Sequence, residues 1–266
     1  MKKAINESEL PINELQQLGI HKDGKLKLDA EQTEALLHGR RTKILSLENL
    51  KMDGFGIKQL DAKLSLFRNE SGKVELAIHP IYHEAKPHPL LNEQEALNLK
   101  FGNAFNLRKE YEDANKKMKK AIIEYDEQTR EFVAYDPEEV EVPEKVNSEA
   151  LTDEQKKHFK NGEIVTLSDG TQLQHSATDN KGVRSDRGAL ILSVLLDGGI
   201  SYLMLRGIRN LASNWDDQKD DYTKGYRQAL QDATENTARS CQQNRETVAA
   251  EEPVQEQKLS YKRSGR

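Results

Sequence analysis

Three histidines, His79, His83 and His88, fall within ten residues, with Glu84 among them. Two or three imidazoles and a carboxylate are the right donor types for zinc. Against that, Pro80, Pro87 and Pro89 keep the segment extended, so no helical i, i+4 pairing of imidazoles is available, and no Cys-x-x-Cys supports a structural metal. The expectation is therefore no metal and no cofactor. A second group is basic. Lys181, Arg184 and Arg187 stand with Gly182, Ser176, Thr178 and Ser185 in one polar stretch before an apolar run. Two arginines beside the free amides of a helix start can grip a phosphate or carboxylate. Asp179 and Asp186 offset that charge, and no Gly-x-x-x-x-Gly-Lys makes the stretch a nucleotide loop. Arg40, Arg41 and Lys43 form a further cluster, and Lys116, Lys117, Lys119 and Lys120 another, the latter balanced by Glu110, Glu112 and Asp113.

These cations define one candidate contact for nucleic acid: Lys181, Arg184 and Arg187, joined by Arg40, Arg41 and Lys43. With aromatic residues at 6% and a formal net charge of -5, such contact would be weak, electrostatic and indifferent to sequence. Catalysis has less to stand on. The single cysteine, Cys241, lies in a polar tail without a positioned partner, and no serine occupies a Gly-x-Ser-x-Gly turn. Asp216, Asp217, Asp220 and Asp221 lack the glycine and distal glutamate of a calcium loop and read as solvated helix surface. A pocket holding two or more converging titratable groups is what would revive an enzyme.

The elements that must position these groups are marked by a pattern that occurs three times. Leu28-Asp29-Ala30-Glu31-Gln32 ending at Gly39, Leu91-Asn92-Glu93-Gln94-Glu95 ending at Gly102, and Leu151-Thr152-Asp153-Glu154-Gln155 ending at Gly162 start 63 and 60 residues apart. Each has a capping residue, a Glu or Gln three positions on to reach back, and a glycine to end the helix. Leu36, Leu99 and Phe159 are the large apolar position common to all three, so each short helix must bury that side. A shorter helix is expected over Pro11–Leu18, stopped by Gly19. Alternation over Leu60–Leu66 and Val74–Ile78 around Asn69–Gly72 predicts a hairpin, and Ala121–Tyr125 with Glu131–Tyr135 a second. The span Leu107–Lys120 has helical composition, but analogy with the first unit favours strand. Glu163–Leu167 and Gln172–Ala177 flank a turn at Ser168–Gly170.

The expected architecture is α+β: residues 1–135 with two helix-hairpin units, an acidic proline-bracketed linker at 136–147, a third unit with an apolar helical segment at 148–212, and a polar, mobile tail at 213–266. The run Ala189–Leu205 is the most apolar in the chain. An aspartate in mid-membrane costs about 2.5–3.5 kcal/mol, so Asp197 argues for a buried helical hairpin bent at Gly198-Gly199 over a membrane anchor. The polar start Met1-Lys2-Lys3 gives no signal core, and a cytoplasmic location is expected.

The string Leu151–Gly162, followed by Ser176-Ala177-Thr178-Asp179 and Leu190–Leu205, together with Leu10-Pro11-Ile12, His79-Pro80-Ile81-Tyr82 and His88-Pro89-Leu90-Leu91, resembles two uncharacterised domain families. They occur in tandem in gut Bacteroidales proteins, often on conjugative and other mobile elements, sometimes near topoisomerase genes. The resemblance covers about residues 8–212 and implies a setting of DNA transfer or maintenance, with no activity and no catalytic residue to carry over. The resulting expectation is a non-enzymatic accessory that binds another protein of the element or DNA. A membrane-associated accessory anchored through 189–205 and a DNA-processing enzyme are the alternatives, and the oligomeric state stays open.

Overall fold

Most of the helices begin where a side chain can satisfy their first amides. The computed structural model describes residues 5–52, 55–69, 71–196, 199–211 and 218–236. Helix α1 (Ile12–Gln17) ends at Gly19, whose φ of 72° suits a residue without a Cβ. A small hairpin of β1 (His21–Lys22) and β2 (Lys25–Leu26) leads to α2 (Ala30–Leu37), capped by the Asp29 carboxylate, which accepts from the Gln32 N–H. Strands β3 (Leu45–Met52), β4 (Phe55–Arg68) and β5 (Val74–Pro80) then form an antiparallel meander. The expected hairpin is its second half, turned by the Asn69 side chain, which accepts from the Ser71 and Lys73 amides. Asn49, at φ 56°, interrupts the alternation of β3. Ala62, Leu64 and Leu66 face a core shared with Leu15, Leu36 and Leu47.

Helix α3 (Glu93–Lys100) carries a reciprocal cap between Asn92 and Glu95. It precedes a second meander of β6 (Asn106–Glu112), β7 (Met118–Asp126) and β8 (Glu131–Tyr135). The ambiguous span 107–120 is thus strand, turn and strand. Asp113 builds the turn by accepting from the Asn115 and Lys117 amides, and that local chemistry with sheet pairing overrides helical composition.

The acidic stretch after β8 packs against the chain. Val140 is buried with Val142 beside it, and the Glu144 N–H donates to the Ser193 carbonyl. Next come β9 (Lys145–Val146) and β10 (Glu149–Ala150), then α4 (Asp153–Lys160), capped reciprocally by Thr152 and Gln155. After α4 the chain forms β11 (Val165–Thr166), β12 (Gln172–His175) and β13 (Val183–Ser185).

The run 189–205 is not the expected helical hairpin. It is a β-hairpin, β14 (Ala189–Leu196) against β15 (Gly199–Arg206), in register from Ala189 opposite Arg206 to Leu196 opposite Gly199. Asp-Gly between two apolar runs is a hairpin signal, and both faces of β14 are covered, so the run is continuously apolar instead of alternating. One face meets the core of Phe159, Leu173 and Ile208. The other meets α5 (224–236), through Tyr226 and Ala229. Among the described residues no helix is long and apolar enough to cross a membrane.

Strand β16 (Arg209–Asn210) pairs parallel with β13, giving sheet orders β11-β12-β13-β16 and β10-β9-β14-β15. The cap chemistry therefore occurs three times, and Leu36, Leu99 and Phe159 are all buried. The strands after each cap are arranged differently: two meanders, then two interleaved four-stranded sheets, one antiparallel and one mixed. Part of the expected tail is helix α5, while Cys241, Asp216, Asp217 and everything beyond 236 lie outside the described residues.

Candidate functional site

The basic residues singled out from the sequence are engaged inside the chain. Lys181 reaches Glu31 at 2.8 Å, and Lys43 reaches the same glutamate at 3.1 Å. Arg40 donates to the Lys181 carbonyl at 2.7 Å and pairs with Glu34. Arg41 goes elsewhere, to Glu131 at 2.8 Å and Asp126 at 3.3 Å. Arg184 donates to the carbonyls of Asn210 and Leu211 and lies 3.8 Å over the Phe105 ring. Arg187 donates to the Thr171 hydroxyl and the Asp220 carbonyl. The helix start expected to complete an anion grip does not exist, because β14 stands there. Arg41, Lys181, Arg184 and Arg187 are buried, so the stretch 178–187 is internal structure and not a solvated loop.

The histidines also part company. His79 bonds Ser65 and lies 3.4 Å from Glu131, His83 offers its carbonyl to Arg130, and the ring of His88 accepts from the Leu90 amide. Among the described residues no three His, Cys, Asp or Glu side chains group as metal ligands.

What the structure assembles instead is a buried polar hub between the two meanders and the 176–178 turn. Lys63 places its ammonium 2.8 and 3.0 Å from the two Asp126 oxygens and donates to the Thr178 carbonyl. Burial lowers the Lys63 pKa while Asp126 opposes that shift. Burial pushes Glu131 up, but His79 and Arg41 outweigh it and bring the carboxyl down to about 2. Glu124 accepts from the Ala177 and Thr178 amides and from the Ser176 and Thr178 hydroxyls. Even so, burial prevails and raises its pKa to about 7.

Beside this hub lies a cleft of about 170 Å³ between the end of α2, the end of β8 with the stretch after it, and the β12–β13 turn. Its floor is apolar: Phe159, Leu192, Val194 and Leu203. His38 and Glu141 form a 2.9 Å pair on one wall, and that bond holds the Glu141 carboxyl low. Tyr135 and Phe159 meet the His175 ring edge-on at centroid distances of 4.9 and 5.6 Å. Burial drops His175 to about 4, so the ring is neutral at pH 7. Arg40 contributes a buried Nε without a hydrogen-bond partner, while the buried Tyr135 hydroxyl lies against Glu124, and burial together with that carboxyl raises its pKa. Arg40 and Lys181 beside an apolar floor suit a guest with an apolar body and an accepting end.

The sequence singled out Phe159 through the threefold pattern and Arg40 and Lys181 as cations, but nothing marked His38, Tyr135, Glu141 or His175 as cleft residues. His38 and Glu141 stand 103 positions apart, and the cleft draws on segments from residue 38 to residue 203. The helix-stop glycines nearby, Gly39 and Gly162, also left a local trace.

Residues 5–89 match the model of a family described as "Protein of unknown function (DUF4099)". The match takes in α1 through β5 and ends in the proline-bearing stretch beyond, so an uncharacterised domain occupies the N-terminal part of the chain. No curated protein and no solved structure matches the chain.

Proposed function

We propose that this chain is a non-enzymatic binding module whose working surface is the junction cleft. Its guest has an apolar body and a hydrogen-bond-accepting end, as in a carboxylate-bearing small molecule or a side chain or terminus of a partner protein. The observation that carries this reading is the convergence of His38, Tyr135 and His175, from three separate parts of the fold, on one apolar floor. An accessory role on a mobile element accords with a binding module and rests on the sequence resemblance alone. Direct DNA contact has weaker support. A phosphate would have to compete with Glu31, Glu34, Asp126 and Glu131 for Arg40, Arg41, Lys43 and Lys181, and with backbone carbonyls for Arg184 and Arg187.

The His38–Glu141 pair favours a second reading, catalysis, because a carboxylate that orients an imidazole is also how a general base is held. That reading is weaker, since the nearby Ser176 hydroxyl bonds Glu124 and leaves the imidazoles without a nucleophile. The test is a fragment screen by ligand-observed NMR, comparing the chain with Val194→Phe, which fills the cleft from its floor. Aromatic and aliphatic carboxylates should bind the parent and lose at least about tenfold affinity to the filled variant. Equal binding by both, or no binding by any fragment, would overturn the assignment of this cleft.

A further inference from the structure

The long edge strands are not defended alike. Strand β3 carries Glu48 and Lys51 and is kinked at Asn49, β5 carries Glu75 and His79 and ends on Pro80, and β6 carries Arg108, Lys109, Glu110 and Glu112. Charges, prolines and kinks of this kind stop an edge from pairing with another chain. Strand β15 ends the sheet order β10-β9-β14-β15 and has none of them from Gly199 to Leu205: its sequence is Gly-Ile-Ser-Tyr-Leu-Met-Leu, and Arg206 is its lone charge. Among the described residues β14 is the one strand paired with it. Met204 is 57% exposed although Leu205 beside it is buried. Alternation puts Met204 on the same face as Tyr202, the face packed by α5, yet the helix leaves it uncovered.

We propose that β15 is a self-association edge, pairing antiparallel with β15 of a second copy of this chain about a two-fold axis. Charge selects this occupant and this direction. An antiparallel pair centred on Leu203 sets Leu203 opposite its own copy, Tyr202 opposite Met204 and Ser201 opposite Leu205, each pair on one face. The two arginines then stand at opposite ends, roughly 20 Å apart at the rise of a strand. Parallel pairing would set them side by side. The two four-stranded sheets become one of eight strands. Strand spacing sets the two β14 strands, each carrying its α5 helix, about 14 Å apart on one face, with both Met204 side chains in the groove between the helices. An isologous contact of this kind closes at two copies and removes the bare edge of both.

Sedimentation velocity on the full chain, from about 1 to 200 μM, tests this against Met204→Lys and against Met118→Lys, a control at a comparably exposed methionine in a different sheet. The parent and Met118→Lys should dimerise with the same dissociation constant. Met204→Lys should weaken association at least tenfold or so while far-ultraviolet circular dichroism and melting stay unchanged, because the site is exposed in the single chain. A parent that stays monomeric across the range overturns the proposal. So does a dimer that Met204→Lys leaves intact, or a monomer whose β15 amides are protected from hydrogen exchange by some other part of the chain.

Discussion

The two three-stranded meanders share a topology and differ in what holds them. Sheet β3-β4-β5 has a core of its own, in which Leu64 and Leu66 meet Leu15, Leu36 and Leu47. Among the described residues, sheet β6-β7-β8 has four buried apolar residues near it, Leu99, Ala121, Ile122 and Ile123, and they join no cluster of comparable size. On one face of β7, Ile122 alternates with Glu124 and Asp126, all buried. That face is met by Lys63 and Arg41 from one neighbour and by the 176–178 turn from another. The first sheet is therefore stabilised by burial of its own apolar surface, which is non-directional and tolerant. The second is positioned by hydrogen-bonded charges, which are directional and intolerant of losing one partner. The cleft lies beside the second of these regimes, where Tyr135 and the 176–177 turn form a wall, and its floor belongs to a separate apolar core with Phe159 and Leu192.

The largest expected effect comes from cutting the hub. Asp126→Ala leaves Lys63 buried without its carboxylate and should cost about 3–5 kcal/mol in urea unfolding. Replacing both partners, Lys63→Met with Asp126→Leu, should cost far less than the single change, since neither charge is then stranded. If Asp126→Ala cost under about 1 kcal/mol, the second sheet would not depend on its neighbours and the contrast would fail.

Much of the local structure was legible in the sequence and little of this junction was. Asp29, Asn92 and Thr152 act within three residues of themselves, so their caps could be read directly. The 60–66 and 74–78 hairpin announced itself through period-two burial on one face. Residues 189–205 misled because a strand covered on both faces has the same uninterrupted apolar run as a buried helix. Lys63 and Asp126 are 63 positions apart, and nothing local distinguishes a lysine destined for a buried pair from one destined for solvent. Arg184 and Arg187 showed the same limit. Their type suggested a ligand, while their bonds go to carbonyls and a hydroxyl of the chain itself.

An intermediate effect separates the two kinds of buried carboxylate by pH. Glu131 is lowered to about 2, so its stabilisation is fully present above its unfolded value of about 4.5 and is lost as pH falls toward 2. Glu124 has the opposite sign. Its folded pKa of about 7 lies above the unfolded value, so from pH 4.5 to 7 the folded chain keeps a proton that the unfolded chain has lost, and stability declines as pH rises. The full cost, about 3 kcal/mol, then persists above pH 7. Urea midpoints from pH 2 to 8 should show Glu124→Gln flattening this decline and Glu131→Gln flattening the loss in acid. A parallel response of the two variants would mean that donors, not burial, set the charge state of Glu124.

The smallest effect is the sharpest test of independence. Asp29→Ala and Asn92→Ala remove the same kind of bond, from a cap side chain to the amide three residues on, so each should cost about 1 kcal/mol globally. The consequences should nevertheless be distributed differently. Helix α2 packs Leu36 into the first core, and fraying its start leaves that core to hold β4. Helix α3 has Leu99 as its one fully covered contact, so loosening it exposes a sheet with little apolar packing to fall back on. Native-state hydrogen exchange should therefore show the amides of β6 and β7 opening sub-globally in Asn92→Ala, while those of β4 in Asp29→Ala open only with global unfolding. Equal protection of the two sheets in both variants would mean that they unfold as one unit, and that the ionic junction couples them as tightly as a shared apolar core would.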